Sequence, residues 1–154
     1  MSAHRHVGGG SPADVRSEPP GSDRLPVGAA DVRQRVRVAL RESGEDCDPR
    51  PAEDALLVAS ELATNAIMHG GGITGFQARV ADGMLVLAIS DHVAVAPVTS
   101  ARLPHDYRPG GFGWPIIQRL ARRVVVEPYG RTPGEGPSDA GPVGKTITVT
   151  LPLH

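Results

Sequence analysis

Apolar residues along this chain change period several times, and each change marks an element. Between residues 29 and 43, Val32, Val36, Ala39 and Leu40 recur at helical spacing, and Gly44 stands where a helix would stop. A second helix is predicted over residues 51–69. Leu56, Ala59, Leu62, Ala63, Ala66 and Ile67 form its apolar side, Pro51 is tolerated in its first turn, and Gly70 is placed to end it. The pattern then turns β-like over 73–80 and 84–90, with only Ala81, Asp82 and Gly83 between the two runs, a connection suited to an antiparallel hairpin.

A Pro-containing segment from His92 to Pro109 has no clear period, and so long a loop in a compact domain usually has a task such as covering a site. After Gly113 a third helix is expected through Arg123, then a strand over 124–127, a Gly- and Pro-rich loop, and a last strand over 145–151. Strands joined by hairpins, with helices free to share one face, predict an α+β two-layer sandwich instead of a doubly wound parallel sheet. The sheet is expected to be mixed and mainly antiparallel. Residues 1–26 are Gly, Pro, Ser and charge with scarcely an apolar pair, which predicts a disordered N-terminal tail ahead of one domain over 27–154.

Charge narrows the function. With 17 acidic and 16 basic residues in 154, no strong field draws the whole surface to nucleic acid or to an anionic membrane. Cys47 is the single cysteine, so there is no internal disulfide and no second thiol at metal-ligand spacing, which fits a reducing compartment. No run approaches the roughly 20 apolar residues of a membrane helix, and the N-terminus lacks a signal-peptide core, so a cytoplasmic protein is expected. His4 and His6 lie in the tail without further ligands and are read as solvated.

Polar residues interrupt the second helix in a regular way. Glu61, Asn65 and His69 are four apart, so they rise along one face. Any one alone could be a solvated helix edge. Together they offer more: an Asn65 amide oxygen is a hard ligand suited to Mg²⁺, and Glu61 one turn away can act as a general base. Asp91 ends the apolar run that starts at Met84 and can accept a hydrogen bond from an exocyclic amino group such as that of adenine. Pro109-Gly110-Gly111-Phe112-Gly113-Trp114 leads into the third helix, where open backbone N–H groups could face phosphates. No Lys-Ser/Thr follows these glycines, so this is no P-loop, and no dinucleotide fingerprint is present.

Taken in order, Glu61-Leu62-Ala63-Thr64-Asn65-Ala66-Ile67-Met68-His69, Ile89-Ser90-Asp91, Gly110-Gly111-Phe112-Gly113 and Gly144-Lys145-Thr146 closely resemble the GHKL ATPase superfamily, and within it the bacterial anti-sigma-factor serine/threonine kinases. The likeness runs from about Ala29 to Pro152. It implies the Bergerat ATP-binding sandwich, with Glu61 as catalytic base, Asn65 as Mg²⁺ ligand, Asp91 as adenine anchor, Gly111 and Gly113 at the phosphates, Thr146 beside the adenine, and the stretch between Asp91 and Gly110 as the ATP lid. Implied cofactors are ATP and Mg²⁺. Implied partners are a sigma factor and an anti-sigma-factor antagonist protein, with a homodimer favoured.

The chain departs from that pattern in places. Where the family often has Asp-x-Gly-x-Gly, it reads Asp91-His92-Val93-Ala94-Val95, so both glycines are absent and ATP affinity is at issue. Trp114 stands where the family usually has Leu. Arg33, Arg37 and Arg41 form a basic stripe on the first helix, read first as a solvated face and second as a contact for an acidic partner. The leading expectation is an ATP-dependent anti-sigma kinase. The alternative is a non-catalytic partner-binding module with the same fold and weak or lost ATP binding.

Overall fold

The computed structural model describes residues 24–97, 113–130 and 142–154. Along the chain it has α1 (Ala29–Glu42), α2 (Pro49–Met68), β1 (Ile73–Ala81), β2 (Met84–Asp91), α3 (Gly113–Leu120), β3 (Arg123–Tyr129) and β4 (Gly144–Pro152). The four strands form one sheet in the order β1-β2-β4-β3, antiparallel at all three pairings. The route from β2 through α3 to β3 skips one position, and β4 fills the gap by pairing with both. That insertion makes every neighbouring pair antiparallel where a mixed sheet was expected.

The hairpin joining β1 to β2 turns on Asp82 and Gly83, with φ of 55° and 70°. Two consecutive positive φ values give a turn whose twist matches the flanking strands. The Glu45 carboxylate accepts from the Gly83 N–H at 2.7 Å, tying the α1–α2 connection to that turn.

Helices α1 and α2 pack on each other, and α2 also contacts α3, β1, β2 and β4. The core lies between helices and sheet. Val32, Val36, Val58 and Leu62 come from the helices and Leu85, Leu87, Val149 and Leu151 from β2 and β4, each almost fully buried. Burying side chains of this size stabilises by about 1.5–3 kcal/mol apiece, so this seam is the main force holding the layers together. Ile67, assigned by period to the apolar side of α2, is 39% exposed, while Ala66 beside it in the last turn is buried.

Two helix boundaries differ from expectation by more than one residue. Helix α2 begins at Pro49, since both prolines lie in the first turn, where no N–H partner is required. Helix α3 ends at Leu120 instead of Arg123. The Arg122 N–H already donates to Thr150 O at 2.8 Å, so the chain has entered the sheet, and the β-branched run Val124-Val125-Val126 continues it. Among the described residues no helix is long and apolar enough to cross a membrane.

Candidate functional site

Strand β2 alternates strictly, with Leu85, Leu87, Ile89 and Asp91 buried on the helix side. Asp91 is the last residue of that series, a carboxylate where the pattern calls for an apolar side chain, and it is only 4% exposed. Lys145 lies opposite it on β4 and is 5% exposed. The lysine ammonium donates to Asp91 Oδ1 at 3.0 Å and Oδ2 at 2.8 Å, and to the Val93 carbonyl at 3.0 Å. Val93 N–H in turn donates to Asp91 Oδ1 at 2.9 Å. All three ammonium protons and most of the carboxylate lone pairs are therefore used.

Gly70 closes the other side of this pair, since a Cβ there would lie 2.5 Å from Asp91 Cγ. Its N–H donates to the carbonyls of Asn65 and Ala66, so the last turn of α2 is held directly against the carboxylate. Gly144 is just as confined: a Cβ would overlap the Asp91 carbonyl oxygen and the Tyr129 hydroxyl. That hydroxyl donates to Asp91 O at 2.6 Å and is 2.9 Å from Thr74 Oγ1, so β1, β2 and β3 meet at one residue.

Glu61 and Asn65 are half-buried on α2, while His69, their neighbour by period, is exposed beyond the end of the helix. The Glu61 carboxylate lies against the first residue of α3, where a Cβ on Gly113 would overlap Oε2. The proposed base and one proposed phosphate-side glycine are thus brought together. Gly111 and Gly110 lie outside the described residues, as does the 98–109 part of the expected lid.

Thr146 is placed differently. It pairs with Ser90, and its hydroxyl is 2.7 Å from Ser90 Oγ. Paired residues share a face and successive residues alternate, so Thr146 is on the sheet face opposite Asp91, and Lys145 takes the position beside the carboxylate. Counting back from Ile147 and Val149 along the strand would have given the same answer.

Val93 and Val95 need no glycine where they stand. Among the described residues Asp82 is the only non-glycine residue with positive φ, so residues 92–97 need no left-handed backbone, and Val93 turns back over Asp91. Trp114 packs against the edge of the core.

Whether ATP and Mg²⁺ suit these residues can be read from the donors present. No group of three or more His, Cys, Asp and Glu that could hold a metal occurs among the described residues. Mg²⁺ asks for less than that, because it takes one or two protein oxygens and fills the rest with phosphate and water, and Asn65 with Glu61 nearby fits such a site. At Asp91, the residue the resemblance assigns to adenine, the carboxylate already has a cation as partner.

A family model described as "Histidine kinase-like ATPase domain" matches residues 25–134. The chain belongs to this family. The histidine kinase-like match takes in α1 through β3, with Glu61, Asn65, Asp91 and Gly113, and stops before β4 and Lys145. No curated protein matches the chain. Among solved structures it is similar to the histidine kinase domain of the blue-light activated histidine kinase EL346 from Erythrobacter litoralis, at 17% identity and a TM-score of 0.40. That match covers 81% of this chain, which spans 60% of the length of the other.

Proposed function

We propose that this histidine kinase-like ATPase domain is an ATP-dependent regulatory kinase of the anti-sigma type, which sequesters a sigma factor and phosphorylates a serine or threonine of an antagonist protein. The observation that carries the reading is the contact of the Glu61 carboxylate with Gly113 at the start of α3. It joins a group able to take a hydroxyl proton to the end of a helix whose N–H groups suit phosphate.

Bound Mg·ATP would supply the phosphoryl group. Glu61 would take the proton of the acceptor hydroxyl, Asn65 would hold the metal, and Asp91 would accept from the adenine amino group. The motifs in the order Glu61/Asn65, Asp91, Gly113 support ATP use, whereas serine/threonine specificity, the sigma factor, the antagonist, a homodimer and a cytoplasmic setting rest on the resemblance to anti-sigma kinases. The test is calorimetry with ATP and Mg²⁺, followed by transfer of labelled phosphate to a candidate antagonist. Binding without transfer to any protein hydroxyl would remove the kinase assignment.

The buried Lys145–Asp91 pair favours a second reading, a partner-binding module that keeps the fold with weak or lost ATP binding. Absence of ATP binding together with tight capture of a sigma factor would select it.

A further inference from the structure

A buried ion pair between β2 and β4 does more than hold those strands in register. The two strands are already paired from Met84↔Pro152 to Asp91↔Lys145, with Leu85, Leu87, Ile89, Ile147, Val149 and Leu151 packed in the core beneath them. Burying two charges at the end of that ladder is poorly explained by stability, because desolvation offsets most of the attraction. The carboxylate in question is also the group that would read the base.

We propose, on the reading of this cleft as a nucleotide site, that Lys145 is a specificity-determining residue of its base subsite: it competes from within the chain for the Asp91 oxygens and so sets a low affinity for adenine. Asp91 Oδ1 accepts from Lys145 and from Val93, Oδ2 accepts from Lys145, and Gly70 closes the remaining approach. An adenine amino group must displace an ammonium hydrogen bond to reach either oxygen. The competent form is the fraction of molecules in which the pair is open, and observed affinity falls by that fraction. The Val93 carbonyl stabilises the closed form by giving Lys145 a third acceptor.

Lys145 is the only lysine in the chain, so protein labelled with ¹⁵N-lysine gives one side-chain ammonium signal. That signal would be followed in the full-length wild type during titration with Mg·ATP and, separately, with Mg·tripolyphosphate, which carries no base. Calorimetry would run in parallel on wild type and Lys145→Thr. Expected results are a signal that shifts with ATP and stays still with tripolyphosphate, and a Lys145→Thr protein that binds ATP about tenfold tighter or more, the gain expected if the pair is open in a tenth of molecules or fewer. Lys145→Thr leaves a buried carboxylate unpaired and can fail to fold, in which case the wild-type signal decides alone.

ATP binding with an unmoved ammonium signal overturns the competitor role and leaves the nucleotide reading standing. So does a folded Lys145→Thr that binds ATP no better, or a tripolyphosphate shift equal to that with ATP. No ATP binding by either protein overturns both.

Discussion

Glu61 Oε2 occupies the space that a side chain on Gly113 would fill, so the carboxylate on α2 and the start of α3 cannot be altered independently. Glu61→Ala should keep ATP binding close to wild type and slow phosphotransfer to a protein hydroxyl by about a hundredfold to ten-thousandfold, the usual effect of losing a positioned base. Gly113→Ala should slow it too, because the flexible carboxylate must move aside, while the melting temperature changes little. Equal transfer rates in wild type and Glu61→Ala would remove Glu61 from the chemistry.

Asn65→Ala should weaken Mg·ATP binding by about 10- to 100-fold, matching the roughly 1.5–3 kcal/mol of a contact to a charged group. Without Mg²⁺ the two proteins should bind ATP alike. Calorimetry with the metal and with chelator checks both statements, and unchanged affinity in a mutant with normal circular dichroism would exclude the metal-ligand role.

Wild type should prefer ATP to GTP, since Asp91 as the proposed anchor would accept from the adenine amino group where guanine presents a carbonyl. Asp91→Asn should narrow that preference. It should also destabilise the fold by about 3–5 kcal/mol, because the Lys145 ammonium loses its counter-charge while buried. Competition binding and denaturant unfolding measure the two effects separately. Indistinguishable ATP and GTP affinities in wild type would contradict the anchor role.

Gly144→Ala should be among the most damaging small changes in the chain, since its methyl group meets the Asp91 carbonyl and the Tyr129 hydroxyl. Overpacking of this kind costs about 1–3 kcal/mol. Tyr129→Phe, which leaves the Asp91 carbonyl without its donor, should cost about 1–3 kcal/mol as well. A urea midpoint unchanged in both variants would mean that the β2–β3 tie does not support the fold.

The elements were legible because local pattern determines them: helical spacing of Val32, Val36 and Leu40, alternation along Met84 to Asp91, and the Asp82-Gly83 turn each express backbone geometry within a few residues. The stripe of Glu61 and Asn65 was equally local. The third helix is shorter than its local pattern predicts because what ends it is distant: Arg122 bonds to Thr150, and no short window contains that partner.

Sequence alone determined the α+β class, the hairpin and the family motifs, since each depends on spacing along one element. Tertiary structure decided which side chains share the site. The insertion of β4 between β2 and β3 brought Lys145 to Asp91, turned Thr146 to the opposite face and packed Gly144 beneath Tyr129. The physical reason is that strand order and register are fixed by long-range burial and pairing, and a shift of one residue in register would exchange Lys145 for Thr146 at the carboxylate.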